Sequence, residues 1–233
     1  MAKGNKIKFL AKLFMRLLLF FIFLTVIPVI VFKFIPPPIT PLMFLRALDM
    51  KTLGDSVKLN YQWVSIDEMS PNLYQAAVAA EDDHFMTHHG FDIEALQQAY
   101  ESNQKSDKKI KGGSTISQQT AKNVFLWPHR DYLRKGLEAW FTVLIEFAWS
   151  KERIMEVYLN IVELGDGIYG VEAASQKYFK KHASKLTKYE AASLISVLPN
   201  PHIYKVLNPS VHTLQYRNAI AYRMGVMPKV VFK

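Results

Sequence analysis

Cysteine is absent from the 233 residues, so the chain forms no disulfide and offers no thiolate metal site. It suits any compartment, and an oxidising one without oxidative folding. Acidic residues are absent from the first 16 positions, and charge of either sign is absent from Leu17 to Phe32. Internal repeats are also absent. The net charge is +9, but Lys3, Lys6, Lys8, Lys12 and Arg16 supply five of its cations; removing them from the 29 leaves 24 against 20 acids. That balance is too small and too scattered for nucleic acid. It suits an acidic substrate or an anionic membrane surface.

What the chain does have is apolar surface, 50% of its residues, concentrated near the N-terminus. Counted from Leu13, with Arg16 snorkelling, the run to Phe32 is 20 residues, matching the ~20 needed to cross a bilayer. Pro28 is tolerated in such a helix. Cations precede the span, which predicts a cytoplasmic N-terminus and an exported remainder. Ile35-Pro36-Pro37-Pro38 follows instead of a small-x-small cleavage site, so the span reads as an uncleaved anchor. The expected division is a cytoplasmic tail at 1–12, an anchor at 13–35, a juxtamembrane connector at 36–60 and a periplasmic domain at 61–233. The apolar patch Leu42, Met43, Phe44, Leu45 and Leu48 either lies in the lipid interface or packs on that domain.

The domain reads as mainly α. Ser70 and Pro71 start a helix whose apolar stripe, Leu73, Ala77 and Ala80, carries Glu81 on nearly the same face. A carboxylate with little water around it has a raised pKa and suits general acid–base work. Its bland alternative is a solvated helix end. Residues 81–92 (EDDHFMTHHGFD) follow as a His- and Gly-containing turn, and Asp92 caps a helix with Ile93, Leu96 and Tyr100. Glu101 to Lys111 reads as a mobile loop. Gly112 and Gly113 lead to Ser114, the expected cap of a helix with Thr115, Gln118, Gln119 and Lys122 as a polar stripe. A glycine turn entering a helix is a natural anion site. Arg134 to Trp149 is apolar on nearly every side apart from Arg134, Lys135, Glu138 and Glu146, and predicts a buried central helix. Arg134 and Glu138 are spaced to pair. Ser150 caps a helix with Ile154, Val157, Tyr158 and Ile161 inside. Thr187 and Glu190 form a capping box, and the last helix spans about 210–224.

Two carboxylates could serve a glycosidase. The cations Lys122, Arg134 and Lys135 suit instead a diphosphate leaving group, which departs by charge stabilisation. His84, His88 and His89 lack the H-E-x-x-H pattern, since Phe85 follows the first, and are expected to orient neighbours. Ser106 and Lys109 form S-x-x-K, but the accompanying S-D-N and K-T-G of penicillin-binding enzymes are absent, so the match is chance.

Five stretches occur in order: 81–92, 113–123 (GSTISQQTAKN), 134–138 (RKGLE), 151–160 (KERIMEVYLN) and 191–199 (AASLISVLP). As a set they resemble the signature motifs of the peptidoglycan glycosyltransferases, glycosyltransferase family 51. Ser117 stands where that family usually has Thr, which keeps the hydroxyl. The short tail after Pro201 implies a stand-alone enzyme of Gram-negative type, without a transpeptidase domain. The resemblance implies a lysozyme-like, two-lobed helical fold with the cleft between lobes and the smaller lobe near the membrane. It implies polymerisation of lipid II, with Glu81 as base and Glu138 assisting through Mg²⁺ or another divalent cation, or through the basic residues. Lys122, Arg134 and Lys135 would bind diphosphate, and Asp82, Phe85, His88, Thr115, Gln119 and Asn160 would shape the site. Implied partners are lipid II and the growing glycan, the inner membrane, and penicillin-binding and division proteins. Alternatives are a lysozyme-like hydrolase and an anchored scaffold without turnover.

Overall fold

The computed structural model describes all residues except Met1, Leu53, Asp55, 105–112, Arg130 and Lys233. The chain divides into two units, residues 1–36 and 37–233. The first is a single helix, α1 (Ala2–Phe34), which continues through Pro28 and contains a strongly apolar stretch, Lys6–Phe34, long enough to cross a bilayer. Thr25 Oγ1 donates to Phe21 O at 2.9 Å, so its hydroxyl is satisfied within the helix, as a spanning segment requires.

The second unit is mainly α, as expected of a lysozyme-like head. It contains α2 (Pro41–Thr52), α3 (Pro71–Glu81), α4 (Ile93–Gln104), α5 (Ile116–Phe125), α6 (Tyr132–Ala148) and α7 (Lys151–Ile161), then α8 (Val171–Phe179), α9 (Lys188–Ile195) and α10 (Val211–Val226). Its one small sheet, among the described residues, has the order β1 (Asn60–Tyr61), β3 (Ile168–Tyr169), β2 (Glu163–Gly165); β1 is parallel to β3 and β2 antiparallel. Two helical groups carry the head. In one, α3 packs on α9 and α10; in the other, α5 packs on α6 and α7. The patch at 42–48 belongs to α2, which packs against α5 and buries Met43 completely.

Most starts follow local capping chemistry. Ser70 accepts from Asn72 N, Ser150 from Arg153 N at 3.1 Å, and Thr187 with Glu190 makes the expected box. A cap contributes about 1 kcal/mol. Burying Leu73, Ile154 or Leu194, each 0% exposed, contributes about 1.5–3 kcal/mol apiece, so packing outweighs capping.

Three expectations change. The cap of α5 is Thr115, not Ser114: Gln118 lies three residues on and reaches back to Thr115 N, whereas Ser114 would face Ser117, too short to do so. Helix α4 extends through Gln104, into the stretch expected to be loop; 105–111, with Ser106 and Lys109, lie outside the described residues. Helix α6 is not buried on all sides. It buries Arg134, Glu138, Phe141, Thr142 and Ile145, while Leu133, Val143 and Phe147 are exposed. The polar residues went inside because they pair there, a choice that apolar content alone does not reveal.

Candidate active site

Glu81 closes α3, and the chain leaves the helix at Asp82. Glu81 is half-buried. Its Oε2 accepts from Gln119 Nε2 on α5 at 2.8 Å, and the Tyr158 hydroxyl on α7 donates to Gln119 Oε1 at 3.5 Å. Burial raises the Glu81 carboxyl above its ordinary value, and Asp82 adds to this; the Gln119 bond and the charge of Lys122 oppose it. Tyr158 is wholly buried and its hydroxyl is held well above its usual range by desolvation, so it stays a donor.

The loop after Glu81 is braced internally. Both Asp82 oxygens lie 2.9 Å from His88 Nε2, and Oδ2 also accepts from Ile116 N at 2.9 Å, at the start of α5. Gly90 N donates to His88 Nδ1 at 3.0 Å, which leaves the ring proton on Nε2, facing Asp82. Gly90 has φ +91, and an added Cβ would stand 2.7 Å from Thr142 Cγ2. Both facts call for glycine. Thr115 Oγ1 accepts from Gln118 N and donates to Gly90 O at 2.7 Å. His84 Nδ1 meets Asp92 Oδ2 at 2.7 Å, and Asp92 caps α4 through Ala95 N. That hydrogen bond and charge raise the His84 pKa. His84 and His88 thus orient neighbours by hydrogen bonds, and among the described residues no three or more His, Asp or Glu are grouped as metal ligands.

The cations form a second group on α6. Arg134 Nη1 reaches Glu138 Oε2 at 2.6 Å, and Lys135 Nζ reaches Glu138 Oε1 at 2.5 Å. Arg134 and Glu138 are buried; the Lys135 side chain is 51% exposed. Arg134 Nε is buried without a hydrogen-bond partner among the described residues, a donor that still needs an acceptor. Both Glu138 oxygens are engaged by these two cations.

A cavity of about 320 Å³ opens beside Glu81, lined by Asp82, Asp83, His84, Asp92, Thr115 and Arg223 among others. Through the Gln119 bond, the Asp82 bond to the start of α5 and the Lys122 charge, the structure brings Glu81, Asp82, Thr115, Gln119 and Lys122 together, with Arg134, Lys135 and Glu138 on the helix packed against α5. Phe85, His88 and Asn160 behave differently. Phe85 is 0% exposed, so it packs under the loop. Asn160 clamps the extended segment at Val64, accepting from its N at 2.9 Å and donating to its O at 2.8 Å. Sequence reasoning missed Arg223, which hydrogen-bonds Asp83 from α10 and lies in no motif. It also missed Glu146, whose one signal was a carboxylate inside the apolar run of α6.

Comparison with known proteins places the chain in a family. A transglycosylase family profile matches residues 49–225. A protein of Caulobacter vibrioides called biosynthetic peptidoglycan transglycosylase is 50% identical over 220 residues, 94% of this chain and 93% of its own. Proteins of the same name from Bdellovibrio bacteriovorus and Shewanella oneidensis are 49% and 47% identical, covering 86% and 94% of this chain and 80% and 92% of their own. With the profile spanning most of the head and the likeness running through nearly the whole chain, the protein belongs to the transglycosylase family.

Proposed function

We propose that this transglycosylase polymerises lipid II into β-1,4-linked glycan strands for the bacterial cell wall, with Glu81 as its general base. The Glu81 carboxylate takes the proton of the acceptor sugar's 4-hydroxyl. The oxygen forms a bond to C1 of the muramyl sugar at the end of the growing chain. The C1–O bond to the undecaprenyl diphosphate breaks, its electron pair leaves with the diphosphate, and the anomeric configuration inverts. Lys122, Arg134 and Lys135 meet the charge that develops on that leaving group. Glu138 acts by aiming Arg134 and Lys135.

The observation that carries the reading is Glu81 itself: a carboxyl raised by burial, steered by Gln119, within the field of Lys122. A lytic reading asks for two carboxyls flanking a sugar bond, one of them protonated. Glu138 is instead held between two cations, Arg134 on one oxygen and Lys135 on the other, rather than facing Glu81 across a sugar site. The basic residues in the first half of α1, ahead of its uncharged run, support a single-pass anchor in the inner membrane, N-terminus in the cytoplasm and head in the periplasm. From that position the enzyme would meet lipid II in the bilayer and work beside penicillin-binding and division proteins.

Labelled lipid II incubated with the full chain in detergent tests the assignment. Glu81→Gln keeps the Gln119 contact but removes the proton acceptor, and its turnover should fall by about 10²–10⁴-fold. Near wild-type strand synthesis by a folded Glu81→Gln protein would overturn it.

A further inference from the structure

Behind the catalytic loop lies a carboxylate that none of the five motifs contains. Glu146 sits on α6 with its side chain 7% exposed. It accepts the Ser117 hydroxyl from α5, and its Oε1 holds Lys151 Nζ at 2.7 Å from the first turn of α7. Lys151 in turn stands 4.7 Å over the Phe85 ring, and Phe85 meets the His88 ring edge-on at 6.3 Å. The Glu146 Cγ also backs Gly90, where an added Cβ would come within 3.0 Å. One side chain thus touches or reaches three motifs: Ser117 in the second, Lys151 in the fourth, and the loop through Phe85 and Gly90 in the first.

We propose that Glu146 is a positioning residue for the loop that follows Glu81, acting through Lys151 and Phe85 on the His88–Asp82 pair. The proposal rests on the reading of Glu81 as the base. An ammonium packed against an aromatic face gains from the ring only while it is held there. Remove the carboxylate and the Lys151 ammonium turns to water, the Phe85 ring loses one wall, and His88 shifts against Asp82. Asp82 adjoins Glu81 and fixes the start of α5, the helix that carries Gln119 and Lys122. Small displacements of that kind act on turnover rather than on substrate binding. The position also gives the Ser117 hydroxyl a task, which explains why the substitution for Thr retains it.

The experiment uses the full chain in detergent and two readouts: lipid II kinetics, and the imidazole nitrogen NMR signals of His88, assigned by their loss in His88→Gln. Glu146→Gln should lower kcat about ten- to hundredfold with KM within about twofold, and should move the His88 signals. Lys151→Met should do the same, and the double variant should be no worse than either single one. Lys181→Met, which breaks an ion pair with Glu190, should leave both readouts unchanged. Unmoved His88 signals with wild-type kcat, or losses that add in the double variant, would overturn the proposal. A wild-type protein inactive on lipid II would refute the role of Glu81, while the His88 signals would still decide whether Glu146 positions the loop.

Discussion

On the proposed function, residues in this site divide by whether they meet substrate or hold those that do. Glu81, Lys122 and Lys135 were legible as chemistry because their types and spacing suit proton transfer and diphosphate binding. Phe85 and Asn160 were legible only as motif members; their burial comes from contacts with Lys151 and Val64, distant in sequence, that no local pattern encodes. Glu138 shows how magnitude decides a role. Its partner Arg134 is buried with it, so breaking the pair strands a charge, at a cost of about 3–5 kcal/mol. Lys135 is half exposed, and its share of the pairing is about 0–1 kcal/mol. Glu138→Gln should therefore destabilise the head by several times what Lys135→Met does, measured by denaturant unfolding at neutral pH. Equal losses would mean that the buried pair is not what Glu138 supports.

At the scale of elements, helix starts were readable where a capping residue and its reach-back partner both lie in the local sequence, as with Ser70, Ser150 and Thr187. Thr115 displaced Ser114 on the same ground. Which face of α6 is covered was not readable, since Leu133 and Phe147 are as apolar as the buried Phe141 and Ile145. Two glycines separate backbone need from mere permission. Gly90→Ala forces a side chain onto φ +91 and into Thr142, a strain of about 1–3 kcal/mol, and should slow turnover by disturbing the loop. Gly136 lies inside α6 with nothing within 4 Å of an added Cβ, so Gly136→Ala should stabilise by up to about 1 kcal/mol. Thermal unfolding of both variants checks the pair; a stabilised Gly90→Ala would contradict the packing described.

The whole molecule couples a helical anchor to a head with its own core. The run of uncharged residues made the anchor visible, and the motif order made the head visible. The contacts that unite α3, α5 and α7 around Glu81 were not visible, because they join residues far apart in sequence, 38 positions for Gln119–Glu81 and 39 for Tyr158–Gln119. Removing residues 1–36 should leave a folded head that polymerises lipid II in detergent and works about tenfold or more slowly on lipid II in vesicles, where the anchor raises local concentration. Equal rates in vesicles would refute a catalytic contribution from the anchor.

The central claim concerns the proton on Glu81. Its carboxyl is raised above the ordinary glutamate value of 4.5 by burial, so the base becomes ionised, and competent, only as pH climbs through that higher value. Carbon-13 NMR of the Glu81 carboxyl, assigned with Glu81→Gln and titrated beside the pH dependence of kcat/KM on lipid II, measures this directly. The account predicts a carboxyl that titrates above 4.5 and an acid limb of the rate profile that rises with the same midpoint. A Glu81 carboxyl already ionised below 4.5, with a rate limb that follows some other group, would contradict it.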